Sequence, residues 1–276
     1  EQVKTLFSGR EREELIAIGR AGDEGVYALE PNIKAALEGH TVNVEPWEAE
    51  VAWTYGLPWK PLPIFQNYTA YTAKLDRLNA EAVESPQGPE RILREYPPLV
   101  FPEFTTPDLD GRFFGWDPPE QQRAVLCHFA PLQLTARWEV LGRVADRCGP
   151  SRMIGSVSGH YGETIQVPEP GPGEVVYVRI HGAGLGTLER VTNFLLHART
   201  RHILVNGTTS YRLIPETAGD GLLMWGDQEL LEEDGDVSPL PQAQTIELEG
   251  ASGNLTFDFY AMKVAPGSTA TPEPKG

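Results

Sequence analysis

From Thr164 to Lys263 the chain breaks into seven short β-rich runs: Thr164–Val167, Glu174–Ile180, His202–Val205, Ser210–Ile214, Gly221–Met224, Gln244–Leu248 and Leu255–Lys263. Turn signals such as Asn206-Gly207 and Gly219-Asp220-Gly221 separate them. Strands of this length at regular spacing bury their apolar faces by stacking as two antiparallel sheets, so an antiparallel β-sandwich is the expected architecture here. One helical pattern, Leu188 to Ala198, interrupts the series. The tail, residues 266–276, is rich in Pro, Ser, Thr and Gly and is expected to be disordered.

The first hundred residues follow a different period. Glu11 to Arg20 and Glu30 to Leu37 carry short helical patterns, the second opening at Pro31 and stopping at Gly39. Thr41-Val42-Asn43-Val44 alternates as a strand does, and a helical turn from Pro46 through Trp47, Val51 and Tyr55 ends at Gly56. Pro63-Ile64-Phe65 reads as a second strand, Ala70 to Val83 as a helix, and Arg91 to Tyr96 as a third strand. The order β-α-β-α-β predicts a small parallel sheet with helices on its faces. The fold class is therefore α+β. Residues 1–120 form a small α/β layer that ends in an irregular Pro- and Gly-rich connection from Pro97 to Pro119. Residues 121–265 form the β-rich part, opening with a strand pair at Gln121 to Phe129 and Thr135 to Val144 in which Trp138 and Leu141 are buried.

Charge narrows the partners. Lys and Arg total 23 against 39 Asp and Glu, a net charge of −16 that repels phosphate backbones and excludes nucleic acid. No run reaches the roughly 20 apolar residues that cross a bilayer. The N-terminus, Glu1-Gln2-Val3-Lys4, carries neither a start Met nor a signal-peptide pattern, so the chain is expected to be an excised fragment or a mature product whose anchor lies outside it.

Motifs for catalysis are missing. His181-Gly182-Ala183-Gly184-Leu185-Gly186 follows a strand, but Thr187 stands where the third Gly of a dinucleotide fingerprint belongs, and the segment reads as a turn and linker. The six His residues lack zinc-ligand spacing, so neither a metal nor a cofactor is expected. Gly155-Ser156-Val157-Ser158-Gly159 lacks nucleophile-elbow spacing and reads as a turn. The carboxylate pairs Glu48/Glu50 and Asp108/Asp110 are what so acidic a chain produces by chance. Spacing leaves Cys127 and Cys148 open as a disulfide or as two buried thiols.

The segment from Val44 to Tyr71 is dense in aromatic residues placed beside Asn, Gln and carboxylates, the composition that sugar-ring stacking and hydroxyl recognition use. Trp47, Trp53 and Trp59 read first as core of the small layer. Gln66, Tyr68, Tyr71 and Asn79 are then the better site candidates, because polar groups set among apolar ones need partners.

Glu45-Pro46-Trp47, the run Pro63-Ile64-Phe65-Gln66-Asn67-Tyr68-Thr69-Ala70-Tyr71-Thr72, Leu75-Asp76, Leu78-Asn79-Ala80 and Asp110-Gly111-Arg112 together resemble the extracytoplasmic C-terminal region of large polytopic actinobacterial membrane proteins of glycosyltransferase-like type. Asn67 stands where that pattern has Ser. The resemblance runs from about Thr41 to Arg112 and continues more faintly past Trp138 and Cys148. It implies a multi-helix membrane domain N-terminal to Glu1, an extracytoplasmic location, and pairing of Cys127 with Cys148. By analogy with sandwiches on cell-wall glycosyltransferases it implies a jelly-roll or carbohydrate-binding-module type of fold for the β-rich part. The expected function is binding or positioning of a cell-envelope glycan or glycolipid without catalysis in this fragment, through Glu45, Trp47, Gln66, Tyr68, Tyr71, Asn79, Asp110, Arg112 and Trp225. The alternative is a structural or protein-interaction domain that caps the membrane part. An enzyme with its ligand at the strand ends near Glu45, Gln66 and Tyr68 would require strongly shifted carboxylates in a cleft there.

Overall fold

A computed structural model describes residues 8–95, 108–186, 189, 200–226 and 240–266. Most of the helical pattern at 188–198, most of the tail and part of the Pro97–Pro119 connection lie outside them.

The first sheet is mixed, with strand order β1-β2-β6-β5. β1 (Val42–Glu45) and β2 (Arg91–Glu95) run parallel, while β6 (Trp138–Arg143) is antiparallel to both β2 and β5 (Phe129–Leu134). Strand alternation sorts its side chains onto two faces. Val42, Val44, Leu93, Trp138 and Val140 form one buried cluster with Tyr27, Leu29, Ile33, Leu37 and Val51, from the C-terminal end of α1 (Gly9–Tyr27), α2 (Pro31–Leu37) and α3 (Glu50–Thr54). On the other face Ile92 and Leu141 pack with Ala80, Val83, Ala124 and Val125 from α4 (Ala73–Glu84) and α5 (Pro119–His128).

Three sequence expectations are corrected here. Pro63-Ile64-Phe65 is not a strand: Pro61 and Pro63 have no N–H to offer a ladder. Trp59 makes a single parallel bridge to Val42 instead. Gln121 to Phe129 is not a strand either, because most of it is α5. Pro119 opens α5 at a first-turn position, and the Asp76 carboxylate accepts the backbone N–H groups of Glu120 and Gln121 at 2.8 Å each. Residues 129–143, assigned from sequence to the β-rich part, hydrogen-bond into the first sheet through β2 and β6, with Trp138 and Leu141 fully buried as expected.

The β-rich part consists of two four-stranded antiparallel sheets, ordered β12-β9-β14-β7 and β11-β10-β13-β8. Their strands are β7 (Arg152–His160), β8 (Ile165–Gln166), β9 (Glu174–His181), β10 (Arg201–Val205), β11 (Thr209–Leu213), β12 (Leu222–Gly226), β13 (Thr245–Glu249) and β14 (Asn254–Lys263). Both sheets contribute to one apolar core that includes Val176, Val178, Ile203, Ile246, Leu248, Phe257 and Phe259. Gly155 to Gly159, expected as a turn, lies inside β7, paired along its length with β14. A short ribbon of β3 (Asp108–Leu109) and β4 (Arg112–Phe113) leads into Trp116, whose indole N–H donates to the carbonyl of Leu223 in β12.

Cys127, at the end of α5, is joined by a disulfide to Cys148, 21 residues on. By restricting the unfolded chain, a loop of this size contributes about 3 kcal/mol. Replacing both cysteines with Ala should lower the denaturant-unfolding free energy by that order, and reductant should then have no further effect on the variant.

Candidate functional site

One rung of the first sheet carries three charged side chains on the face covered by α4 and α5. Glu45 on β1 is in register with Arg94 on β2, which is in register with Glu139 on β6. Arg94 Nη2 lies 3.3 Å from Glu45 Oε2, and Nη1 lies 3.4 Å from Glu139 Oε2. All three are buried, and the Arg94 guanidinium also stands 5.2 Å from the Phe114 ring.

The covering helices complete the network. Gln121 Nε2 donates to Glu45 Oε1 at 2.6 Å, Asn79 Nδ2 donates to Gln121 Oε1 at 2.8 Å, and Arg94 donates to Gln122 Oε1 at 3.2 Å. Asn79 also holds the backbone of Ile64, accepting its N–H at 2.8 Å and donating to its carbonyl at 3.0 Å. Desolvation raises the Glu45 carboxyl above the usual range even though Arg94 opposes it. Burial likewise pushes Asp76 and Asp117 up to about 7 each.

These shifted carboxylates do not make an enzyme site among the described residues. Asp76 is committed to the α5 N-terminus. Asp117 lies 2.8 Å from Arg112 Nη1, beside a void of only about 10 Å³, room for no substrate. Cys127, Cys148 and Asp146 bring ligand atoms within 4.8 Å of one another, but the disulfide consumes both sulfurs. They hold no metal in this state.

The residues expected to form one site do not come together. Glu45 and Asn79 belong to the enclosed network. Trp47, Tyr68, Tyr71 and Arg112 form a second group: Arg112 stands 5.6 Å from the Tyr68 ring and 5.4 Å from the Tyr71 ring, donates to the Tyr68 carbonyl at 2.7 Å, and Trp47 meets Tyr68 edge-on at 6.3 Å. Tyr71 is the exposed member of that group. Gln66 accepts through its backbone carbonyl from Thr69. Asp110 is drawn off to Arg212 on β11, and Trp225 packs partly against the apolar core of the paired sheets.

The exposed tryptophans are two residues first read as core. Trp53 is 42% exposed and Trp59 45%. With Arg20, Glu50, Gly56 and Leu57 they line an open groove of about 500 Å³. In α3, Val51, Ala52 and Thr54 face inward, and at 100° per residue Trp53 points about 200° away from Val51. That offset was available in the sequence. Arg20 of α1 lies 4.8 Å from the Trp53 ring, with its Nε buried and lacking a hydrogen-bond partner. Phe65, also exposed, meets Trp59 edge-on at 6.1 Å. Gly56, at φ +64°, adds no side chain to the groove. Two indole faces beside a guanidinium and a carboxylate can stack a ring and bond its hydroxyls. Among the lining residues only Glu50 is a carboxylate, so no acid/base pair is present there.

Two predictions follow from the buried charges. Arg94→Met should cost about 3–5 kcal/mol of unfolding free energy, since two enclosed carboxylates lose their cation. Because folded Asp76 and Asp117 hold protons up to about pH 7 while the unfolded groups release theirs near 4, the folded state binds more protons in that window and stability falls as pH rises from about 4 to about 7. Denaturation series across that window should show the slope, and Asp76→Asn should reduce it to the part that Asp117 contributes.

Compared with family models, curated proteins and solved structures, the chain has no match. The functional reading therefore rests on the chemistry of the groove.

Proposed function

We propose that this chain is a non-catalytic domain that binds or positions a cell-envelope glycan on the extracytoplasmic side of a membrane, joined to a membrane domain N-terminal to it. The observation that carries the reading is the pair of exposed tryptophans, Trp53 and Trp59, on one open groove with Arg20 and Glu50. Stacking on flat aromatic faces, with a few polar groups for orientation, is how a protein holds a ring that is apolar on its faces and polar at its rim. Two further features support it. The two antiparallel sheets, ordered β12-β9-β14-β7 and β11-β10-β13-β8, support reading this half as a jelly-roll sandwich, an architecture that lectin domains use. The disulfide suits an oxidising compartment, and no helix among the described residues is long and apolar enough to cross a membrane.

A second reading, a protein-docking domain, has its own support. α1 leaves Leu15, Ile16, Ile18 and Val26 exposed, from 47% to 69%. Apolar residues concentrated in this way mark interaction surfaces.

Calorimetric titration with neutral arabinan, galactan and mannan oligosaccharides separates the two. On the first reading one of them binds saturably, and Trp53→Ala or Trp59→Ala weakens binding about tenfold or more while changing stability by no more than about 0.5 kcal/mol. Absence of binding at millimolar sugar removes the first reading and leaves the second.

A further inference from the structure

The outer face of the sheet β12-β9-β14-β7 carries a polar grid that packing does not require. Along β14, Leu255, Phe257, Phe259 and Ala261 enter the core, so Thr256, Asp258 and Tyr260 face outward. Register places Ser156 of β7 and Arg179 of β9 on either side of Asp258, and Ser158 and His181 on either side of Thr256. Asp258 accepts from Ser156 Oγ at 2.6 Å through Oδ1 and lies 3.1 Å from His181 Nε2 through Oδ2. An ionised carboxylate has about four lone-pair sites, so capacity remains on it.

Arg179 supplies the cation of the grid, and it also acts on Asp220. It is the cross-strand neighbour of Asp258, yet its guanidinium turns along the sheet to lie 5.3 Å from the Tyr260 ring, and its Nε is buried with no hydrogen-bond partner. The Nε itself is enclosed, so a ligand on this face meets the terminal nitrogens of the half-buried guanidinium. Tyr260 in turn stacks on Tyr177 at 5.2 Å and 9° between planes, which fixes the platform.

We infer that this face is a second, independent site that takes a neutral sugar through adjacent hydroxyls, one accepting from Arg179 and one donating to Asp258, with Ser156 and His181 at its edge. The inference extends the glycan reading to a different part of the fold and uses none of the groove residues. An anionic ligand does not fit, because Asp258 lies among the donors and the chain carries a net charge of −16.

The test is a backbone-amide NMR titration of the whole chain with the same neutral arabinan, galactan and mannan oligosaccharides. Saturable shifts at Ser156, Arg179, His181 and Asp258 are expected. They should persist in Trp53→Ala, and Asp258→Ala or Arg179→Ala should weaken them about tenfold. Asp258→Asn, which keeps an acceptor for Ser156, serves if Ala disturbs the sheet. No shift on this face at tens of millimolar sugar, or shifts of unchanged affinity in both the Asp258 and the Arg179 variants, would overturn the inference. Shifts here without any at Trp53 and Trp59 would remove the groove and leave this site standing; the reverse would remove this site alone.

Discussion

The row Glu45–Arg94–Glu139 is the constraint from which the α/β half is built. Two carboxylates and one guanidinium lie out of water on a single rung of three strands, and such burial is tolerated only when each charge is met by the others and by hydrogen bonds. That requirement specifies register. Slipping β1 by one residue would set Val44 against Arg94 and turn Glu45 into the apolar cluster on the opposite face. It also specifies what covers the row. Gln121 and Gln122 bring α5 over it, Asn79 brings α4, and Asn79 in turn clamps Ile64 and so shapes the loop that follows Trp59 and Leu62.

From this frame the second half is hung by a few directional contacts. Arg123 of α5 donates to the carbonyls of Asp220 and Gly221 and stands 4.8 Å from the Tyr177 ring. Tyr177 stacks on Tyr260, which Arg179 covers, so a ladder of guanidinium, two phenol rings and guanidinium runs from α5 across the sheet. Phe113, Trp116 and Tyr211 make a compact aromatic contact at the other end of the junction, with centroids 5.0 to 5.7 Å apart. The two candidate surfaces, the groove at α3 and the face of β14, thus sit on elements held by separate parts of one connected scaffold.

The paired sheets were legible in the sequence because strands such as β10 and β14 alternate between buried and outward residues. Leu255, Phe257 and Phe259 against Thr256, Asp258 and Tyr260 is a pattern only a strand explains. α5 was misread because, beyond Pro119 at its first turn, its start is capped by Asp76, more than forty residues earlier and reached only through space. That error hid the rest. Without α5, nothing showed that Glu45 and Asn79 would be enclosed, so the aromatic and polar segment from Val44 to Tyr71 could be recognised as distinctive but not divided into frame and surface. The helical offset of Trp53 from Val51 was the one local signal that pointed outward, and Trp59, lying on a bridge next to β1, carried none.

The most direct test of this division follows the indole N–H resonances of the six tryptophans during titration with the oligosaccharide that binds. The account predicts saturable shifts for Trp53 and Trp59, with Trp116 and Trp138 unmoved because their N–H groups donate to the carbonyls of Leu223 and Tyr27 inside the protein. Shifts confined to Trp47 or Trp225, with Trp53 and Trp59 silent, would contradict it and return the binding surface to the residues that the structure places in the frame.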